Sequence, residues 1–448
     1  MSVGLQRLRE EPDRIRKGAL DKGEDPTIVD AALLLDVRRR ALLGEGDRLK
    51  AERNATSKRI GELIRGGTAP DAPEVAALRA ASVDAGRRIA AIDEELGTTE
   101  GELGELLLRI PNPADPDVPV GGADANVTVR TWGELLPRVV PVAGETGADA
   151  PAGHATWERL PHWDVADRLG MIDLERGAKI TGSGFPVYRG AGAALQRALI
   201  DFFLGVHTRE NGFTEIWPPA VVNTASARGT GQIPDKEDQM YVVTRDELYL
   251  VPTAEVPVTN LHRDEIFEAD ALPVRYAAYT PCFRREAGAA GKDTRGILRV
   301  HQFDKVEMVL FERPEDSPAA LEWMTGRAED LLRRLGLAYR VLLMATRDMG
   351  FVQARKYDLE VWAPGVERWL EVSSCSNFRD YQARRMAIRY RPAPGAKPEL
   401  VHTLNGSGLA LARVVAAILE TYQQPDGSLV VPEVPRAPMG TDRIAPPA

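Results

Sequence analysis

The sequence predicts an α+β fold: a mainly antiparallel β-sheet flanked by helices, preceded by an antiparallel two-helix hairpin. Three observations carry this. Near the N-terminus, two long apolar seams with alternating 3- and 4-residue steps are separated by GGTAPDAP, residues 66–73. Further along, strand-like and helical runs do not alternate regularly, which disfavours a doubly wound parallel sheet. Between Arg299 and Met308, Arg299, His301, Phe303, Lys305 and Glu307 fall on odd positions and Val300, Val306 and Met308 on even ones, so a strand there would show a functional face and a mostly apolar one.

A chain of 448 residues exceeds one ordinary core, so two or more domains are expected. Its 44% hydrophobic and 27% charged residues are those of a globular protein. No apolar run approaches the ~18 residues of a membrane span. The N-terminal MSVGLQRLREEPDRIRKGAL is charged and lacks an apolar signal core. Two cysteines, Cys282 and Cys375, make neither a disulfide framework nor a zinc cluster. The compartment these features imply is the cytoplasm. A net charge of −9, from 57 basic and 66 acidic residues, argues against broad nucleic-acid binding but leaves room for a local basic patch.

Residues from about 30 to 108 read as the two helices of the hairpin. The first carries Leu35, Leu42, Leu49, Ile60 and Leu63 on its seam. The second carries Val75, Leu78, Ala85, Ile89, Ile92, Leu96, Leu103 and Leu106, with Ser82 and Thr99 as polar members. Sequential helices with a short connection pack antiparallel, and at ~1.5 Å per residue the hairpin reaches roughly 50 Å. From Arg48 to Arg88 there are nine basic residues against five acidic ones: Arg48, Lys50, Arg53, Lys58, Arg59, Arg65, Arg79, Arg87 and Arg88. Nearer the base the charge is acidic. A basic outer half on an acidic protein points toward a polyanion, although a solvated coiled coil accounts for the charge equally well.

Residues 111–126 are rich in proline and glycine, and 141–155 form a second such stretch. The expected organisation is therefore an N-terminal domain at 1–110, a linker and insertion at 111–155, and a larger domain at 156–448. Within the last, a helix is expected around Gln196–His207, a strand at Glu247–Val251, and a helix at Leu409–Tyr422 ahead of Pro425.

The chemistry concentrates in four segments. GFTEIWPPAVV, 212–222, runs from a helix end into a strand stopped by Pro218 and Pro219. PTAEVP places Thr253 and Glu255 on one side of an extended segment. The third is FRREAGAAGKDTRGILRVHQFDKVE, 283–307, two strand-like runs about a glycine-rich turn. Arg299, His301, Phe303, Lys305 and Glu307 share one face there, with Val300, Val306 and Met308 on the other. Cations for phosphate, a ring for a base and a carboxylate for an amine read as a site for a nucleotide and an amino acid, although alone the run also fits a charged surface hairpin. The fourth is LEVSSCSNFRDYQARR, 370–385, followed by NGSGLALAR, 405–413, a glycine turn opening a helix.

Taken together these strings resemble the class II aminoacyl-tRNA synthetases, and within them the bacterial-type seryl-tRNA synthetases. HWDVADRLGMID, TAEVPVTN, AGKDTRGILRVHQFDKVEM, SSCSN, YQARR and NGSGLA carry the resemblance, from the N-terminal arm to VPEV near Val434. It implies a class II catalytic domain behind a tRNA-binding arm. The implied reaction is ATP-dependent activation of L-serine to seryl-adenylate, then transfer to the 3′ end of tRNA(Ser), and of tRNA(Sec) where present. By the same resemblance the catalytic residues are Arg284 and Arg413. ATP falls to Arg284, Arg285, Glu286, Arg299, Val300, Phe303, Glu371, Val372, Ser373, Ser374 and Arg413. Serine falls to Thr253, Ala254, Glu255, Arg284, Glu307, Asn405 and Ser407, with Glu307 on the ammonium group. Mg²⁺ falls to Glu371 and Ser374, hard oxygen donors suited to it. Their three-residue spacing puts them on one face only if a bulge or strand end intervenes. The tRNA falls to Arg48, Lys50, Arg53, Lys58, Arg59, Arg79, Arg87 and Arg88. A homodimer through GFTEIWPP is also implied.

Some positions depart from the family pattern: Arg285 where serine is common, Arg347 where glycine is usual, Gly184 for a common arginine, and also Lys356 and Phe378. They raise the reading of a specialised second copy that resists an antibiotic mimicking seryl-adenylate. Two alternatives stay open, an amino acid:carrier-protein ligase and a non-catalytic tRNA-binding paralogue. His301, Cys282 and Cys375 are read as structural.

Overall fold

The computed structural model describes residues 4–141, 156–287 and 295–447. The chain divides into two compact units, Met1–Pro113 and Ala114–Ala448. The stretch 142–155 and the glycine-rich turn at 288–294 lie outside the described residues.

The first unit is built on α1 (Thr27–Arg65) and α2 (Pro73–Leu108). Gly66 and Gly67 end α1, the latter at φ +92°, and Thr68 N–H closes on Leu63 O at 3.0 Å. Pro73 opens α2 where no N–H is needed. Arg38 pairs with Glu95, Glu45 with Arg88 and Arg59 with Glu74, so partner numbers fall on α2 as they climb on α1. The helices are antiparallel. Leu42, Leu49, Ile89 and Ile92 form the seam's buried middle, while Ile60, Leu63 and Leu78 near the tip are only partly covered. At the base Leu107 is fully buried and Leu106 only partly so. The face turns there because α2 also packs with Leu8 and Ile15 of the short helices Leu5–Glu10 and Pro12–Lys22.

The second unit is organised by one sheet. In chain order its strands are β1 (Val127–Trp132), β2 (Thr214–Ile216), β3 (Val274–Phe283), β4 (Gln302–Glu312), β5 (Tyr339–Leu343), β6 (Arg355–Ala363), β7 (Arg368–Asn377) and β8 (His402–Ala410). Their order across the sheet is β1-β5-β6-β7-β8-β4-β3-β2. Neighbours are antiparallel except β2 and β3, which are parallel. Helices α3 (Ala191–Gly205), α4 (Ser317–Arg334) and α5 (Leu411–Tyr422) share one core with it, including Phe203, Leu331, Ile418, Met308 and Leu359. Val127–Trp132, inside the stretch 111–155, forms the sheet's edge by pairing with β5.

Two local expectations change. Asn405–Ala410 is the end of a central strand, not a glycine turn, and the helix begins at Leu411. The glycines serve close packing instead: a Cβ on Gly406 would sit 2.7 Å from Cys375 Sγ. Thr253–Glu255 is not extended. Glu255 starts a short helix to Thr259, its N–H bonded to Thr253 Oγ1 at 3.2 Å, a local turn that competes with a strand.

Asp36 on α1 is fully buried and takes a two-pronged hydrogen bond from Arg9, at 2.7 and 2.6 Å. That bond, above all, holds its carboxyl below the ordinary range. Such a group stabilises above its unfolded pKa of ~3.9, and the stability is lost as pH falls through the folded value. Asp36→Asn should therefore cost about 2 kcal/mol at pH 7 and flatten the acid limb of local stability, read by hydrogen exchange on α1.

Candidate active site

A cavity of about 420 Å³ opens over the second unit's sheet. Its walls come from β4, β6, β7 and β8, the first turn of α5, Gln353, and the segments around 232–240, 252–255, 284–286 and 297–300.

At one end Phe303 presents its ring, with the Arg284 guanidinium 5.1 Å from the ring centroid. Arg299 pairs with Glu286 at 2.5 Å. Arg413, the third residue of α5, donates from Nε to Leu298 O at 3.0 Å and from Nη1 to Glu371 O at 2.8 Å. Phe303 stands on β4, whereas Arg284 and Arg299 lie just beyond the ends of β3 and β4. Parity thus holds for Phe303, Lys305 and Glu307. His301 leaves the cavity, stacking on Phe185 and bonding Tyr241 OH at 3.1 Å.

The segment behind this end is fixed from α5. Glu420, fully buried, accepts from His162 N–H at 2.9 Å, His162 Nδ1–H at 2.8 Å, Gly365 N–H at 2.8 Å and Val366 N–H at 3.1 Å. With Nδ1 donating, His162 Nε2 is left to accept from Ile297 N–H at 3.3 Å. Gly296 lets the chain come this close: it has φ +72°, and a Cβ there would lie 2.3 Å from His162 Nε2. HWDVADRLG therefore acts by holding the Ile297–Arg299 wall.

The opposite end is acidic. Glu307 on β4 is buried and ion-paired with Lys305 two residues earlier. Glu255 is buried nearby, and burial, then the Glu307 charge, raises its carboxyl above the ordinary range. Gln382 donates to Glu255 Oε1 at 2.7 Å and is itself oriented by Thr403, 2.7 Å away. Asn405 and Ser407 reach the same space from β8, where Ser407 lies opposite Glu307. Among the described residues the buried Asn405 Nδ2 has no hydrogen-bond partner.

Between the ends lie Glu371 and Ser374. The β6–β7 register shifts where Leu359 faces Ser373 and Glu360 faces Glu371, so Val372 is an extra, bulged residue. The bulge brings Ser374 Oγ to 3.0 Å from Glu371 Oε1 and 2.6 Å from Asp358 Oδ1. The surrounding protein disfavours a charge on Glu371, but Lys356 and then Arg413 outweigh it and hold the carboxyl below the ordinary range. Its side chain, 46% exposed, opens on the cavity. An ionised carboxylate beside a hydroxyl fits Mg²⁺ that draws its other ligands from phosphates. Burial raises Asp358 to about 7 against the pull of Lys356, 3.0 Å away.

Of the residues expected at the site, Thr253, Glu255, Arg284, Glu286, Arg299, Val300, Phe303, Glu307, Glu371, Val372, Ser373, Ser374, Asn405, Ser407 and Arg413 line this one cavity. Arg285 points elsewhere, donating to Asp238 O at 3.2 Å, and Ala254 is packed into a neighbouring core. Arg347 is exposed outside the cavity, Phe378 packs against Val352 and Tyr381, and Gly184, at φ +82°, lies against His301. Sequence reasoning assigned no role to Gln232, Lys236, Gln239 or Gln353 in the wall, nor to Asp358 behind it. The first three sit on an irregular segment with no period to read. Asp358 was within reach, two residues from Lys356 on a strand. Cys282 and Cys375 are buried thiols raised by desolvation, Cys375 to about 12, which suits packing rather than nucleophilic work.

An antiparallel sheet with this cavity over its central strands defines a class II aminoacyl-tRNA synthetase core. The model of the tRNA synthetase class II core domain (G, H, P, S and T) matches residues 241–422, and that of the seryl-tRNA synthetase N-terminal domain matches 4–114. A serine–tRNA ligase of Thermomicrobium roseum is 52% identical over 439 residues, 98% of this chain and 93% of its own. One from Exiguobacterium sibiricum is 50% identical over 439 residues, 98% of each chain. The crystal structure of seryl-tRNA synthetase from Pyrococcus horikoshii complexed with ATP superposes with TM-score 0.90 at 37% identity, covering all of both chains. The chain belongs to the seryl-tRNA synthetase family.

Because Glu420 satisfies four donors in a buried setting, Glu420→Ala should lower stability by about 3–5 kcal/mol in chemical denaturation. Glu420→Gln, which keeps one acceptor oxygen, should cost less.

Proposed function

We propose that this chain activates L-serine with ATP and transfers the seryl group to the 3′ end of tRNA(Ser). The observation that carries the reading is the two-ended cavity. Glu255, Glu307 and the Asn405 amide nitrogen, without a hydrogen-bond partner among the described residues, stand at one end, and the Phe303 ring with Arg284 and Arg413 at the other. An ammonium group and a hydroxyl fit the first end, a purine and its phosphates the second. Discrimination against alanine follows, because a missing hydroxyl leaves buried polar groups unpaired.

No protein general base is required. The serine carboxylate is ionised at neutral pH and attacks the α-phosphorus in line, expelling pyrophosphate. In this reading Arg284 and Arg413 stabilise charge on the phosphoryl oxygens, so catalysis is positioning plus electrostatics. Glu371 and Ser374 would hold Mg²⁺, which supplies further neutralisation of phosphate charge. A hydroxyl of the tRNA terminal ribose then attacks the acyl carbonyl, and AMP leaves.

The arm is assigned to the tRNA. Arg48, Lys50, Arg53, Lys58, Arg59, Arg79, Arg87 and Arg88 are all exposed on α1 and α2. A homodimer through GFTEIWPP is supported by β2, an open sheet edge followed by Trp217 at 81% exposure. Among the described residues no helix is long and apolar enough to cross a membrane, and the cytoplasm is our assignment from the sparse cysteines.

Serine-dependent pyrophosphate exchange followed by charging of tRNA(Ser) tests the reading. Absence of exchange would favour a non-catalytic paralogue, and exchange without charging a carrier-protein ligase. Glu307→Gln should lower kcat/KM for serine in exchange ~100-fold and move KM for ATP less than ~3-fold, since about 2.7 kcal/mol of charged hydrogen bonding is lost at the amine alone. Replacing Arg53, Lys58 and Arg79 together by Glu should leave exchange intact and lower charging kcat/KM for tRNA by ~10-fold or more, with a shallower salt dependence.

A further inference from the structure

Among the cationic side chains that border the cavity and take no part in the reaction just described, Lys356 stands beside the Glu371–Ser374 bulge. Lys356 lies on β6, where it pairs with Ser376 while Asp358 pairs with Ser374. Residues two apart share a face, so Lys356 and Asp358 stand together beside the Glu371–Ser374 bulge. The ammonium lies 3.0 Å from Asp358 Oδ2 with its side chain only 14% exposed. It nevertheless borders the cavity, alongside Glu371, Ser374 and Arg413.

Without the lysine, Glu371 and Ser374 on the cavity wall and Asp358 directly behind them would form a cluster of hard oxygen donors, a place for divalent cations. With it, one fixed positive charge already occupies that cluster, and a divalent ion there would meet both repulsion and a carboxylate engaged elsewhere. A lysine ammonium is also a competent phosphate ligand, acting as a point charge with three donors.

We propose that Lys356 is a resident cation of the site. It takes the place of one divalent ion on the Asp358 side and meets the outer phosphate oxygens of ATP directly, leaving Glu371 and Ser374 to hold Mg²⁺. The proposal rests on the ATP reading above and adds that this chain binds ATP with fewer metal ions than its donor set would otherwise recruit.

The test compares the full-length protein with Lys356→Met and Lys356→Gln, the latter keeping a hydrogen-bond donor for Asp358 should the apolar variant fail to fold. A non-hydrolysable ATP analogue is titrated in EDTA by calorimetry. Bound Mn²⁺ per site is then counted by electron paramagnetic resonance with the analogue present. The expected result is analogue binding in EDTA weakened ~10-fold or more by either substitution, with one additional Mn²⁺ bound per site. Equal Mn²⁺ counts, or unchanged affinity in EDTA, overturns the role of Lys356. Failure of the unsubstituted protein to bind the analogue even with Mn²⁺ overturns the ATP reading itself.

Discussion

Charges held on the open side of this sheet must be neutralised by one another, and much of the structure follows from that demand. Lys305 answers Glu307, Lys356 answers Asp358, and Arg413 answers Glu371. Arg299 answers Glu286, and Arg340 answers Glu360. Removing such a group from water costs several kcal/mol unless a partner stands within a few ångströms. Two of these pairs are two residues apart on one strand and three join neighbouring segments, so the strands must keep their register. The helix-covered core fixes that register, because a slip of one residue would send Met308 and Leu359 into the cavity and ions into hydrocarbon. Hydrophobic packing and site chemistry are thus two consequences of one alignment.

The same logic separates what the sequence disclosed from what it hid. Period-two alternation exposed Phe303, Lys305 and Glu307, because β4 is regular where they lie. The awkward spacing of Glu371 and Ser374 called for a bulge, and one is present at Val372. Arg413 fell where a helix start was expected, although the glycines before it finish a strand. Glycine signals freedom of the backbone without saying whether a turn or a close contact uses it, and Gly406 uses it for contact with Cys375. Lys236 and Gln239 were illegible for a different reason: an irregular segment has no period, and only the completed fold brings it over the cavity. Arg285, conspicuous in the sequence, turns out to bind a backbone carbonyl outside.

The arm is simpler, and its seam could be read almost residue by residue. What the heptad pattern could not show is how unevenly the seam is closed. The middle is sealed by leucine and isoleucine, the base is reinforced by the short N-terminal helices, and the outer turns rely on the buried Val75 together with partly covered side chains and exposed ion pairs. Exposed pairs contribute little to stability, so the outer turns are free to carry basic residues that solvent, or a polyanion, can reach.

The extra residue at Val372 has a consequence for how this chain can change over time. In a bulged strand the residues before and after the bulge obey opposite parities, and the count between them is what keeps both on the proper side. Losing or gaining one residue in β7 would turn everything downstream inside out, whatever the amino acids involved. Length is therefore the constrained quantity in this segment, and related chains should tolerate many exchanges of side chain here long before they tolerate a single gap.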